Sequence, residues 1–119
     1  MFSYDSLDVY QKAKAYHSQI FKFLKGNKGL PPYVKSQLGR AALSIMLNLA
    51  EGSGRFALSD RRHFYIMARS SVFECAAIMS VLIEENEIHK DSGEKLKEAL
   101  EQISKALFGM IKNLEKSED

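Results

Sequence analysis

The sequence lacks the features of a secreted, membrane-spanning or disordered chain. Its 119 residues contain a single cysteine, Cys75, which cannot form an internal disulfide and so fits a reducing compartment. Asp5 and Asp8 come before any apolar run, so we expect no signal peptide. The longest uncharged run, residues 41–50, is far shorter than the about 20 residues that cross a bilayer. With two prolines and seven glycines there is little room for disorder. We therefore expect a cytoplasmic protein without membrane contact.

Composition and charge point to one globular domain with two electrically different halves. Hydrophobic residues make up 45% and charged residues 27% of the chain, so we expect a single domain over residues 1–119. Residues 1–72 carry eleven Lys/Arg and four Asp/Glu, a net charge of +7. Residues 73–119 carry six and eleven, a net charge of −5. A basic half favours an anionic partner, although two complementary solvated faces would give the same count.

Residues 37–55 organise the rest of the chain, because they contain no proline and their apolar residues recur at helical spacing. At about 100° per residue, one face collects four apolar residues: Leu38, Ala42, Ile45 and Leu49. The nearly opposite side carries a polar strip: Arg40, Ser44, Asn48 and Glu51. Leu43 and Leu47 border this strip, so the predicted helix is apolar on more than one side.

Helical periodicity marks three further segments, and no segment alternates as a strand would. The predicted helices run over residues 6–24, 32–53, 59–86 and 92–115. Each has a packing seam with apolar residues spaced four and three apart, which in helix 4 are Leu96, Leu100, Ile103, Leu107, Met110 and Leu114. Because the connections are short, successive helices must run antiparallel. The sequence therefore predicts an all-α fold, an antiparallel up-down-up-down four-helix bundle.

Polar residues and glycines near the helix ends predict how the helices begin and end. Ser6 and Ser59 are placed to accept hydrogen bonds from the first amides of helices 1 and 3. Gly52 and Gly54, around the end of helix 2, are free to take the positive φ with which many helices end.

Helices 2 and 3 carry more apolar surface than one bundle interior needs. In helix 3 a second apolar side consists of Val72, Ala76, Met79 and Ile83. We therefore expect a homo-oligomer whose interface uses helix 2 or helix 3. The alternative is that helices 1 and 4 cover these sides within one subunit.

The polar strip needs partners if it is buried, since it holds an arginine and a carboxylate on a mostly apolar helix. We interpret it, together with residues of helix 3, as a structural polar network that holds helices and subunits together: Arg40, Ser44, Asn48, Glu51, Ser71 and Glu74. The alternative is a catalytic carboxylate or an anion site, but no histidine or second acid has the spacing for acid–base catalysis. We therefore expect a protein that is not an enzyme and has no catalytic residue, metal or cofactor.

Four cations are candidates for contacts with nucleic-acid phosphates: Arg55, Arg61, Arg62 and Lys35. The arginines surround the predicted connection between helices 2 and 3, and Lys35 lies one helix length away. Aromatic surface close by suits base stacking, and it comes from Phe56, Phe64 and Tyr65. A nuclease using Arg55 and His63 is a less supported hypothesis, because that pair has no defined spacing here.

The same stretches carry a resemblance that covers nearly the whole chain. It begins with Leu7, Val9, Tyr10, Gln11, Lys12 and Ala13. It is strongest at residues 37–42, 44–45 and 48–52 with Gly54-Arg55, and it resumes at Phe64, Ala68, Ser71 and Glu74. On these residues the chain resembles the four-helix-bundle proteins encoded in intervening sequences of bacterial 23S ribosomal RNA genes. Residues 26–33 depart from the pattern, as does Ser70, where the family often has glycine.

The resemblance implies a bundle that assembles as a ring, commonly a homopentamer. A similar bundle, the accessory variability determinant of diversity-generating retroelements, works beside a reverse transcriptase and binds nucleic acid through a basic ring surface. The expected partners are further copies of the chain, RNA or DNA, and a ribonucleoprotein or reverse-transcriptase partner. The alternative is a structural module for protein–protein interaction that has no nucleic-acid role.

Overall fold

The computed structural model describes residues 2–118, which form four helices and no strand. The helices are α1 (Asp8–Gly26), α2 (Pro32–Ser53), α3 (Leu58–Glu84) and α4 (Lys90–Glu118), and a short 3₁₀ helix (Ser3–Ser6) precedes α1. α2 packs against α1 and α3, and α4 packs against α3 and α1. The bundle measures 48 × 25 × 22 Å. The predicted all-α, antiparallel four-helix bundle is confirmed.

In α2 and α4 the core is built from the faces that the periodicity predicts. The α2 contribution is Leu38, Ala41, Ala42, Ile45 and Leu49, all of them buried. In α4 the buried series is Leu96, Leu100, Ile103, Leu107 and Ile111. Met110 and Leu114, which the seam included, are only partly buried, because a straight helix of 3.6 residues per turn drifts away from a 3.5-residue repeat. By length and composition alone α3 could span a bilayer, and 33% of its most apolar 18-residue window is buried in this core.

The helix boundaries differ from the predicted ones by up to three residues. The prediction that Ser6 and Ser59 cap helices is wrong. Ser6 belongs to the 3₁₀ helix, where its hydroxyl donates to the Ser3 carbonyl at 2.9 Å. α3 already begins at Leu58, so Ser59 lies inside its first turn. Helices held by tertiary packing do not require a side-chain cap at each start.

The prediction of positive φ at Gly52 and Gly54 is also wrong, since no described glycine has a positive φ. Gly52 is helical and buried, and a Cβ there would lie 2.8 Å from Cε1 of Tyr65 and 3.0 Å from Cβ of Phe64. Glycine at this position therefore lets α2 and α3 approach closely. Among the described residues, the left-handed one is Asn86, with φ of 59°, two residues after α3 ends at Glu84. Asparagine tolerates this conformation better than most residues.

The second apolar side predicted for α3 is covered, but other apolar side chains are exposed on both α3 (Ile66, Phe73 and Val81) and α2. Val72 and Met79 are buried and Ala76 and Ile83 half-buried, so the second apolar side of α3 is covered within the chain, next to α4. The side chains of Leu43 and Leu47 stay exposed on α2, beside the polar strip.

Candidate nucleic-acid interface

Close packing of two helix ends holds the connection between α2 and α3, residues 54–57. Because Gly52 has no side chain, the Tyr65 ring lies directly against α2. The hydroxyl of Tyr65 lies 3.2 Å from Oγ of Ser53, which also donates to the Leu49 carbonyl at 2.9 Å. The amide of Arg55 donates to the Gly52 carbonyl at 3.1 Å. These contacts give the loop a defined conformation on which its exposed side chains are displayed.

Three side chains form what we call the loop cluster: Arg55, Phe56 and Arg61. The Phe56 side chain is 99% exposed. The guanidinium carbon of Arg55 lies 4.7 Å from the centroid of the Phe64 ring, and Nε of Arg61 donates to the Arg55 carbonyl at 2.6 Å. Both guanidinium groups are thus oriented by the protein and retain N–H groups for an external acceptor. Cations beside an exposed ring are the combination that contacts phosphates and stacks a base.

The structure does not bring the other two predicted cations into the loop cluster. Arg62 is half-buried against α4 and forms an ion pair with Glu115, in which Nη1 lies 3.6 Å from Oε1. Lys35 lies near the start of α2, and Arg55 follows its end at Ser53, so about 27 Å of helix separates the two cations. Of the four predicted cations, only Arg55 and Arg61 are joined by a hydrogen bond, while the side chain of Arg62, next to Arg61 in the chain, contacts α4.

The residues of the predicted polar network fall into three groups. Nδ2 of Asn48 donates to the carbonyl and to Oγ of Ser44, at 2.9 and 3.0 Å, and Oγ of Ser71 donates to Oγ of Ser44 at 2.9 Å. This group ties α2 to α3. Glu74 accepts a hydrogen bond from Nε2 of Gln37, which also links these helices. Arg40 and Glu51 are exposed on the free side of α2, so any role between subunits remains a prediction.

A groove of about 250 Å³ between α3 and α4 is absent from the sequence interpretation. Two cations and two aromatic rings are among the residues that line it: Arg69, Lys112, Phe73 and Phe108. We call the surface that these four residues form the α3–α4 groove. Two cation–aromatic pairs at i, i+4 spacing, one on each helix, are the sequence signal that would have indicated it. Their meeting across the groove depends on the register of α3 against α4, which no local pattern gives.

The interior offers no group poised for nucleophilic or metal chemistry. Cys75 is buried next to Tyr16, and this burial raises the pKa of its thiol to about 12. Burial also raises the pKa of the Tyr16 hydroxyl. Cys75 is therefore a protonated thiol at neutral pH and a poor nucleophile. Across the described residues, no cluster of three or more His, Cys, Asp or Glu side chains could hold a metal ion.

Comparison with known proteins gives one family and one fold. The sequence profile of the 23S rRNA-intervening sequence protein family matches residues 5–109. Among solved structures, the chain is similar to a protein from Bacteroides thetaiotaomicron VPI-5482, described as having unknown function and as coming from the S23 ribosomal protein family. The identity is 22% over 87% of this chain and 98% of that chain, with a TM-score of 0.81, so the likeness shows the fold alone. No curated protein matches the chain.

Proposed function

Because the chain belongs to the family of 23S rRNA-intervening sequence proteins, we propose that it is a non-enzymatic, self-associating bundle that binds RNA or DNA. In this proposal the loop cluster is the binding surface. The observation that carries it is the almost complete exposure of Phe56 beside two oriented arginines. A fully exposed ring adds little to the stability of the fold, whereas an exposed ring can stack on a base.

Self-association would strengthen nucleic-acid binding, because each copy adds its modest positive charge to one assembly. One chain carries a net charge of only +2. A ring repeats the loop cluster at regular intervals, and several sites on one assembly bind a polyanion far more tightly than one site does. We propose the homopentameric ring that the family resemblance implies, in a bacterial cytoplasm, with Arg62 and Lys35 contributing charge outside the loop cluster.

The exposed side of α2 supports self-association. Leu43 and Leu47 present apolar surface there, and Arg40 and Glu51 flank them. A contact between copies would bury the two leucines and allow the two charged groups to pair.

The solution mass, measured by light scattering after gel filtration, tests this interface. We expect a multiple of the 13.5 kDa chain mass, and a smaller particle for Leu47→Glu. Phe21→Glu, at a similarly exposed apolar residue of α1, is the matched control and should leave the mass unchanged. A particle of single-chain mass at micromolar concentration would contradict self-association.

Fluorescence anisotropy with a labelled oligoribonucleotide, and with DNA of the same sequence, tests the binding surface. Affinity should fall steeply as salt rises, because phosphate contacts release counterions. The variant Arg55→Ala/Arg61→Ala should bind at least about a hundredfold more weakly, since each charged hydrogen bond contributes about 1.5–3 kcal/mol and 1.4 kcal/mol is tenfold. Lys90→Ala/Lys95→Ala removes the same charge near the other end of the bundle and should change affinity by only a few-fold. Absence of binding at low salt would defeat the proposal.

The second candidate function is a structural module for protein–protein interaction, which the exposed side of α2 also favours. Affinity purification with and without nuclease separates the two. A stoichiometric protein partner that survives nuclease would support the module. A ribonucleoprotein or reverse-transcriptase partner, by analogy with the accessory variability determinant, would instead be released with the nucleic acid.

A further inference from the structure

We infer that the α3–α4 groove is a second subsite for single-stranded nucleic acid, in which Phe73 and Phe108 stack bases while Arg69 and Lys112 bind a phosphate. This inference rests on the proposed function and extends it from the loop cluster to a second, separate surface. The sequence interpretation assigned no role to these four residues together.

The geometry fixes a cation between rings from two different helices. The guanidinium carbon of Arg69 lies 4.8 Å from the centroid of the Phe73 ring and 5.3 Å from that of Phe108. Nε of Arg69 donates to the carbonyl of Ser104 at 3.4 Å, which leaves the terminal nitrogens for an external acceptor. On the other helix, Nζ of Lys112 lies 5.6 Å from the centroid of Phe108. The cations are thus held in place before any ligand arrives.

Both rings remain open to solvent despite these contacts. Phe73 is 56% exposed and Phe108 is 48% exposed. A ring that already holds a cation still offers its uncovered surface, and every base can stack on such a surface whatever the sequence of the strand.

The charge of the groove selects an anionic ligand. Glu115 is the acidic residue at its edge, and it already pairs with Lys112 at 3.4 Å and with Arg62 at 3.6 Å. Arg69 and Lys112, the two cations that line the groove, therefore outnumber the one carboxylate that lines it. A ligand that joins flat apolar rings to regularly spaced negative charges satisfies both features, and a nucleic-acid strand has that composition.

The groove and the loop cluster both include residues of α3. Arg62 and Arg69 are seven residues apart on this helix, so they lie about 10 Å apart along its axis and within about 20° of the same direction. Arg61 of the loop cluster lies about 12 Å from Arg69 along the same axis, so one strand can contact both surfaces.

Leucine substitutions test the stacking role, because leucine keeps apolar bulk and removes the ring. Phe73→Leu and Phe108→Leu should each weaken binding of a labelled single strand of about ten nucleotides by about tenfold. Phe21→Leu is the matched control: Phe21 is 55% exposed and has Nζ of Lys25 at 5.4 Å from its ring, but it lies on α1. This control should not change the affinity. Circular dichroism and light scattering verify that all three variants keep their fold and mass.

A fluorescent reporter gives a second, independent readout, since the chain has no tryptophan. Phe73→Trp should show fluorescence quenching when saturated with the oligonucleotide, because stacking places a base on the indole. Phe21→Trp should show none. RNA and DNA strands of the same sequence should both quench Phe73→Trp, as stacking does not depend on the sugar.

The outcomes separate the two proposals. If the wild type binds no strand at low salt, both fail. If Arg55→Ala/Arg61→Ala weakens binding while Phe73→Leu and Phe108→Leu match Phe21→Leu, the loop cluster stands and the second subsite is wrong. If the groove variants lower the assembly mass and leave the affinity unchanged, the groove is a contact between copies, which also overturns the inference.

Discussion

The connections at the two ends of α3 are both short, but they differ in charge and in what they display. Residues 54–57 contain Arg55 and the exposed ring of Phe56, and Arg61 follows in the first turn of α3. Residues 85–89 contain Glu85 and Glu87 and no aromatic ring other than an exposed histidine.

They also differ in how they are held. The connection at residues 54–57 depends on Gly52: because glycine has no side chain, the buried Tyr65 ring packs directly against this position. The second depends on the left-handed Asn86 and on half-buried Ile88, which lies near Gly93. The comparison shows that a connection of this length closes without an exposed ring or neighbouring arginines. The loop cluster is therefore not explained by chain reversal.

Truncating the anchor of each connection should give the largest difference between them. Tyr65→Ala removes a buried ring and should lower the free energy of unfolding by about 3–5 kcal/mol. Ile88→Ala removes a half-buried side chain and should cost about 1–2 kcal/mol. Urea unfolding followed by circular dichroism measures both. A larger cost at Ile88 would show that the acidic turn is the more firmly held one.

Adding one methyl group to each buried glycine should give the next largest difference. Gly52→Ala should destabilise by about 1–2 kcal/mol, because the new Cβ meets the Tyr65 ring and Cβ of Phe64, and the gain in helix propensity offsets only about 1 kcal/mol. In Gly93→Ala the new Cβ would lie 2.5 Å from Cγ1 of Ile83, closer than any contact at Gly52, and the β-branched Ile83 has a stiff χ1 in a helix. We expect a larger cost there, about 2–3 kcal/mol. Equal costs in urea unfolding would contradict this ranking.

Backbone conformation separates the two connections by a smaller amount. Asn86→Ala should cost about 1 kcal/mol, because alanine tolerates a φ of 59° poorly. Gly54→Ala should be neutral or stabilise by about 0.4–1 kcal/mol, since Gly54 has a φ of −88° and a Cβ there meets nothing closer than 3.6 Å. Thermal unfolding of the two variants checks the sign of each change, and a destabilised Gly54→Ala would refute the second.

The smallest change in stability should accompany a clear change in binding. Phe56→Ser should alter the free energy of unfolding by no more than about 0.5 kcal/mol, because the ring is exposed. The same variant should bind a single strand about tenfold more weakly, because stacking is lost. His89→Ser at the acidic turn is the control. Nδ1 of His89 accepts a hydrogen bond from the Asp91 amide at 3.3 Å, and a serine hydroxyl can accept in its place, so neither quantity should change. If Phe56→Ser bound the strand with unaltered affinity, Phe56 would not belong to the binding surface.

Local patterns in the sequence predict the fold well because they report local physics. The bounds of α2 match the predicted 32–53, since Pro32 marks its start and Gly52 and Gly54 mark its end. The apolar faces of α2 and α4 became the core because burial follows helical period. The seam prediction at Met110 and Leu114 was less accurate because it assumed a coiled-coil repeat that a straight helix does not keep.

Contacts between helices could not be predicted from the sequence. Gly52 lies in a Gly-Ser-Gly segment, whose composition indicates a turn. In the structure it instead allows Tyr65 of α3 to pack closely against α2. The strip on α2 has one polar pattern, but only Ser44 and Asn48 face α3, while Arg40 and Glu51 face solvent. Where each side chain points depends on the register and crossing angle of neighbouring helices, and these follow from packing of the whole bundle.

The thiol of Cys75 makes the chain a natural reporter of its own opening motions. It is the only cysteine and is sealed at the centre of the bundle, so a thiol reagent reaches it only in molecules whose helices have separated. When reclosing is faster than labelling, the labelling rate measures the population of opened molecules without any introduced dye. Comparing that rate with and without an oligonucleotide would give the free energy by which the ligand keeps the helices together.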